Sequence, residues 1–422
     1  PCDIVKVAEL LAQNSGPDRT SAFCYATGFT QHSAGSQIIR TCAILQTLLG
    51  NIGRPGGGIL ALRGHSNVQG ATDIPTLFAD LPNYIPLPKV AEGNATLKDY
   101  LANGHGFSSA RNKTDGMWKL ETERGSWASL PNYMVSLLKA WYGDYAMKEN
   151  EYGFQWLPKL GGNESLTVTI ERAKKGEVDG LLVFGQNIAV TNPNTGWGRT
   201  AIRNLKWLVV CDFENETASV WYADPNGPKP SEVQTEVFYL PTNSCLEKDG
   251  SVSNTERLMQ WHDRIKEAPG ECRSDAWWTY QLGKRLKAMA ETSGLPRDEG
   301  LRSLTWSYDM PQGKQNEMGL PPIEGDCDLD AVAYEMNGFD MVTGKPIQGS
   351  GELKSDGTTA CGCRLLAGFI NEAGENLTKR RGGRTVDHEL DLTYRFAWPT
   401  NSRILYNRCS AAPDGKPWSE RK

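Results

Sequence analysis

The ten cysteines include no pair in C-x-x-C spacing, so neither a zinc ribbon nor a four-iron cluster motif is legible in this chain. No apolar run approaches the roughly 20 residues needed to cross a bilayer as a helix. Basic residues are not in excess: the formal net charge over 422 residues is -5, which argues against a nucleic-acid partner, whose phosphates call for a cationic surface. Internal repeats and low-complexity segments are absent too. No methionine and no signal peptide stand at Pro1, so the chain reads as an internal piece of a longer polypeptide, silent about targeting.

What is present is a chain 39% hydrophobic with 13 tryptophans, long enough for two to four domains. The cysteines read as buried or free thiols, and spacing cannot derive any pairing. Cys361-Gly362-Cys363 is the tightest pair. Two ligands do not make a metal site.

The densest chemistry lies between Gly28 and Asp73. Ser36 to Leu49 is expected to be an amphipathic helix, with Ile38, Cys42, Leu45 and Leu49 on one face and Ile39 widening it. Gly50-Asn51 is its C-terminal stop. Gly56-Gly57-Gly58 lets backbone approach something closely. Arg63, His65, Ser66, Asn67 and Gln69 follow, rich in donors and without a carboxylate until Asp73, a composition that suits an anion. Taken singly, a triple glycine is also a flexible turn, an arginine a solvated charge, and His32 and His65 ordinary hydrogen-bonded histidines.

Residues 1 to about 65 read as helix, strand (Ser21 to Thr27), helix and turn, and residues 75 to 165 as loop-rich. Asp179 to Gly185 and Lys206 to Asp212 read as buried strands with a short helix, Arg199 to Leu205, between them. That is a βαβ unit, hence an α/β fold with a parallel sheet. Ligands of such sheets sit beyond the carboxyl ends of the strands, here Gly185-Gln186-Asn187 and Asp212 to Thr217. Leu246 to Gln260 reads as a turn at Asp249-Gly250, with Ser253 or Asn254 capping a following helix. Residues 275 to 291 read as an amphipathic helix. Lys379 to Arg384 is the one basic cluster, a solvated loop or a contact for an acidic partner or cofactor phosphate.

Taken in order, Gly28-Phe29-Thr30-Gln31-His32, Gly50-Asn51, Gly56-Gly57-Gly58 and Arg63-Gly64-His65-Ser66-Asn67-Val68-Gln69-Gly70 resemble the catalytic subunits of formate dehydrogenases of the molybdenum or tungsten bis-pterin (dimethyl sulfoxide reductase) family. Leu246 to Gln260, Phe396-Ala397-Trp398-Pro399 and Arg403 to Arg408 extend the resemblance over nearly the whole chain.

The resemblance implies αβα dinucleotide-binding layers of the molybdopterin oxidoreductase fold, incomplete without flanking sequence. Residues 1–70 would end the active-site α/β domain, 71–240 form a second pterin-dinucleotide domain, 241–270 pass beside the iron-sulfur domain, and 271–422 lead toward a C-terminal barrel. It implies molybdenum or tungsten held by two molybdopterin guanine dinucleotides. The selenocysteine or cysteine ligand, its histidine and a four-iron cluster would precede Pro1.

It also implies a periplasmic enzyme converting formate and carbon dioxide. Electrons would leave through an iron-sulfur subunit and a cytochrome or membrane subunit, so the piece alone should be inactive. By resemblance Arg63 clamps formate, with His65 a candidate for the proton. Thr30, Gln31, His32, Gly64, Gly185, Gln186, Asn187, Asp212, Glu216, Thr217 and Lys248 line the cofactor, and no residue here ligates the metal. The loops at Gly28–Ser33 and Gly56–Gln69 are expected to share one cleft with the 185 and 212 loops. Two alternatives stand: another bis-pterin oxidoreductase such as a nitrate reductase, and a non-catalytic cofactor-binding scaffold.

Overall fold

The structure is a computed structural model describing residues 2–54, 56–89, 93–102, 129–159, 162–382 and 393–399. Arg384, Arg403 to Arg408 and Cys409 lie outside the described residues. Two compact units are distinguished. One comprises Pro1–Thr72, Ser251–Gln260 and Thr378–Lys422, the other Asp73–Gly250 and Trp261–Leu377.

The first unit opens with α1 (Cys2–Gln13), β1 (Ala22–Tyr25), α2 (Thr27–Thr30), α3 (Gly35–Leu48), β2 (Gly58–Ala61) and α4 (Val68–Asp73). β1 and β2 pair in parallel, Ala22 opposite Gly58 and Tyr25 opposite Ala61. The stretch read as a plain turn after the triple glycine is thus the second strand of a βαβ unit, because Ile59-Leu60-Ala61 prolongs the glycines with an apolar run. The expected helix is present and ends as a Schellman motif: Asn51 N–H donates to Gln46 O and Gly50 N–H to Thr47 O, with Gly50 at φ 71.

Its buried line differs from the expected stripe. Gly35, Cys42 and Gln46 are buried, whereas Leu45 is exposed. Gln46 is fully buried because its amide is saturated. Nε2 donates to Ser21 O (2.8 Å) and Gly58 O (2.7 Å), and Oε1 accepts from Asn51 Nδ2 at 2.7 Å. One side chain thereby ties helix, first strand and second strand, the satisfaction a buried amide requires. Gly57 permits this closure, since a Cβ there would stand 2.2 Å from Asn51 O.

In the second unit the segment read as loop-rich contains α5 (Leu130–Tyr142), apolar almost all round and buried. With Tyr100, Phe154, Leu81, Ile85 and Leu353 it makes the larger core. Then come α6 (Leu166–Lys174), β3 (Gly180–Phe184), α7 (Ile188–Thr191), α8 (Thr195–Arg203), β4 (Trp207–Asp212), α9 (Glu216–Ala223) and β5 (Glu236–Pro241). The three strands run parallel in the order β3-β4-β5, as the βαβ reading requires.

Val183, Leu208 and Val210 pack with Ile188, Ala189, Ala201, Ile202 and Val220, so the connecting helices share one face of the sheet. The opposite face corrects the expectation of a fully buried strand: Leu182, Phe184 and Phe238 are 46%, 41% and 45% exposed. Their run of apolar residues fits a strand covered on both faces, and among the described residues this part of the second face stays open.

β6 (Gly250–Ser253) and β7 (Leu258–His262) lie in one sheet with β8 (Phe396–Ala397), ordered β8-β7-β6. β8 pairs antiparallel with β7. The helix expected after Asn254 is instead a single 3-10 turn, Thr255–Arg257, because the alternating burial of Leu258 to His262 makes the next element a strand. α10 (Asp275–Thr292) forms where the amphipathic pattern predicted it, with Ser274 Oγ accepting from Trp277 N–H at 3.0 Å.

Candidate active site and cofactor cradle

Both loops of the N-terminal motif leave the same end of one parallel pair. α2 and the Gln31-His32 turn follow the carboxyl end of β1, and Arg63 follows that of β2. Leu62 N–H donates to Tyr25 O at 2.8 Å, extending the ladder to the residue before Arg63. Thr30, Gln31, His32, Arg63, Gly64 and His65 therefore all follow the carboxyl ends of one parallel pair, the end at which open parallel sheets take ligands. All six residues are exposed. The Arg63 guanidinium and the His65 ring make no hydrogen bond or ion pair with another described residue.

The backbone beneath them is held firmly. Arg63 N–H donates to Thr255 Oγ1 (2.9 Å). Asn254 Nδ2 donates to Arg63 O (3.4 Å) and His65 O (2.8 Å), while Asn254 Oδ1 accepts from Gln69 N–H (3.4 Å). In return Asn67 Oδ1 accepts from Ser253 N–H at 2.9 Å. Asn67 sits at φ 58, a left-handed conformation that asparagine tolerates better than most residues. The sequence offers Ser253 or Asn254 as the cap of a following helix; the Asn254 amide instead closes a loop lying 185 to 191 residues earlier.

The second unit presents the ends of β3 and β4. Gly185 has φ 58, and its N–H donates to Cys211 O at 2.9 Å. Asn187 caps α7, its Oδ1 accepting from Ala189 N–H (3.1 Å). Gln186 Nε2 donates to Thr191 Oγ1 (3.2 Å). Thr217 is buried and donates to Gln186 O (3.3 Å), joining the two strand ends. Asp212 Oδ1 accepts from Phe213 N–H (2.7 Å), and Glu216 stands exposed in the first turn of α9.

Two further amides belong to these loops. Asn192 Nδ2 and Asn215 Oδ1 are buried and have no hydrogen-bond partner among the described residues. An unpaired donor and an unpaired acceptor beside the strand ends are expensive unless a polar ligand supplies the missing bonds. Lys248 is occupied differently, half-buried in an ion pair with Asp275 at the start of α10.

The described cysteines form no metal cradle. The eight described ones are free. Cys361 and Cys363 point to different acceptors, Met336 O and Asn337 O for the first and Asn83 Oδ1 for the second. Burial pushes both thiols up, that of Cys363 to about 12. Among the described residues no group of three or more His, Cys, Asp or Glu side chains is placed to hold a metal ion, and no helix is long and apolar enough to cross a membrane.

Comparison with known proteins adds to this geometry. Residues 3–285 match the family model described as molybdopterin oxidoreductase. The nitrate-inducible formate dehydrogenase major subunit of Escherichia coli is 36% identical over 424 residues, covering 100% of this chain and 40% of the relative. Formate dehydrogenase 2 subunit alpha (cytochrome c-553) of Nitratidesulfovibrio vulgaris is 34% identical, covering 100% and 40%. The formate dehydrogenase subunit alpha of Megalodesulfovibrio gigas is 32% identical, covering 99% and 40%. The chain thus spans about 40% of the length of these relatives.

Proposed function

The chain belongs to the molybdopterin oxidoreductase family, and on that premise we propose that it is the middle portion of a formate dehydrogenase catalytic subunit, oxidising formate to carbon dioxide or running the reverse reaction. The observation that carries this reading is Arg63: an exposed guanidinium without a partner among the described residues, on backbone pinned at the carboxyl end of a parallel strand. Arginine's planar fork takes a carboxylate through two parallel charge-assisted bonds and stays protonated at any working pH. Bound so, formate has both oxygens fixed and its C–H bond turned away from the arginine. His65, two residues on and equally open, is the group of this loop able to accept the departing proton at a ring nitrogen.

The cofactor is molybdenum or tungsten with two molybdopterin guanine dinucleotides, and when bound it supplies the acceptor for the two electrons. Asn192 Nδ2 and Asn215 Oδ1 are an unsatisfied donor and acceptor that suit the polar edge of a nucleotide base, and Gly185 and Asp212 belong to the same two connections after β3 and β4. Within the first unit, Thr30, Gln31, His32 and Gly64 are the residues proposed to line a pterin dinucleotide. The metal's protein ligand, a four-iron cluster, an iron-sulfur partner subunit, a cytochrome or membrane subunit, and a periplasmic location complete the proposal.

The test is Arg63→Lys in the complete holoenzyme. Lysine keeps the charge and loses the fork, so kcat/KM for formate should fall about 10²–10³-fold at unchanged metal and pterin content. A variant with near wild-type kcat/KM would remove Arg63 from the site.

A further inference from the structure

We infer that Asn254 and Thr255 are positioning residues for the anion-binding arginine: they fix the two peptide groups that flank Arg63 and so aim a side chain they never touch. This rests on the reading of Arg63 given above and extends it to a segment about 190 residues away in sequence.

The geometry is specific. The direction of the Cα–Cβ bond of Arg63 is set by its own N–H and its own carbonyl. The N–H donates to Thr255 Oγ1 and the carbonyl accepts from Asn254 Nδ2. Asn254 Nδ2 also holds the carbonyl of His65, the second open side chain, and Asn254 Oδ1 takes the N–H of Gln69, where α4 begins. An amide carries two donor hydrogens and an acceptor oxygen, and this one places all of them on the loop from 63 to 69. The reciprocal bond, Ser253 N–H to Asn67 Oδ1, prevents the two segments from sliding past one another.

Each bond ends on backbone, so both functional side chains stay free for a ligand while their origins are fixed. A small anion gives the enzyme few contacts to correct an error of aim, and a misplacement of about 1 Å can cost about 10²-fold in rate.

The experiment uses the complete holoenzyme and four variants, Asn254→Ala, Thr255→Val, Thr255→Ser and Arg63→Lys, with the first two also combined with Arg63→Lys. Thr255→Val keeps the shape and replaces the hydroxyl that accepts from Arg63 N–H by a methyl, so it decides the matter should Asn254→Ala fail to load cofactor. Metal and pterin content is checked for every variant.

Asn254→Ala and Thr255→Val should each lower kcat/KM for formate about 10- to 100-fold, mainly through KM, and Thr255→Ser should restore it. On the Arg63→Lys background the same changes should cost less than about threefold, because the fork they aim is already gone. Equal losses on both backgrounds, or wild-type kinetics in Thr255→Val, would overturn the inference. Wild-type kinetics in Arg63→Lys itself would instead overturn the assignment of the anion site.

Discussion

Gly70→Ala sets two physical effects against each other within the arginine loop. Gly70 lies inside α4 and is not in a left-handed conformation, so helix propensity alone would make alanine better by about 0.5–1 kcal/mol. Against this, a Cβ at Gly70 would stand 2.2 Å from Asn67 Oδ1 and 3.0 Å from its Cγ. The clash itself is cheap to relieve, since the Asn67 amide can rotate away. Rotation, however, removes the acceptor of Ser253 N–H beside a serine only 3% exposed, and an orphaned buried donor costs about 1–3 kcal/mol.

The second effect wins, and the variant should be destabilised by about 1–2 kcal/mol in this loop. The sign must then reverse on an Asn67→Gly background, where no amide is left to displace and glycine accepts φ 58 without strain. There Gly70→Ala should stabilise by a few tenths to about 1 kcal/mol. Hydrogen exchange of the amides from 63 to 70 in the complete protein, with melting temperature and formate turnover, reads both changes. The same sign on the two backgrounds would refute the reasoning.

Asn215→Leu replaces a half-buried amide whose buried oxygen has no partner among the described residues and which makes no side-chain cap bond to α9. The apo protein should gain about 1 kcal/mol while extractable pterin nucleotide falls, and loss of stability in the apo form would contradict the cradle. Glu335→Gln tests a different buried group: burial raises the Glu335 carboxyl from its ordinary 4.5 to about 7, more than the hydrogen bond from Tyr308 lowers it. A raised folded value means that stability is fully present below about pH 4.5 and lost as pH rises through 7, about 3 kcal/mol at most over that window. The glutamine variant should therefore melt above wild type at pH 8 and not at pH 4.5, and a gap independent of pH would reject the burial argument.

The parts of this fold legible in the sequence are those with a local cause. Gly50-Asn51 marked the end of α3 because a left-handed glycine followed by a closing N–H is decided within six residues. Leu181 to Val183 and Leu208 to Val210 marked parallel strands because each is a short apolar run bounded by turns. α5 escaped for the converse reason: Pro131, Asn132 and Ser136 interrupt a segment that is buried nearly all round, and such a helix has no amphipathic period to detect.

In the same way Leu45 followed the helical period yet lies exposed, while Gln46 broke it and lies buried, because the helix meets strand ends with polar needs that only an amide fills. The arginine loop is the extreme case. Asn254 and Thr255 act on backbone atoms of residues 63 to 69, and backbone atoms are the same in every residue, so nothing in the side chains at either end encodes the pairing. What the fold shows is an asparagine and a threonine after β6 with no α-helix for them to cap. Their unused amide and hydroxyl then imply a distant partner, and here that partner is the loop whose side chains were already the best candidates for chemistry.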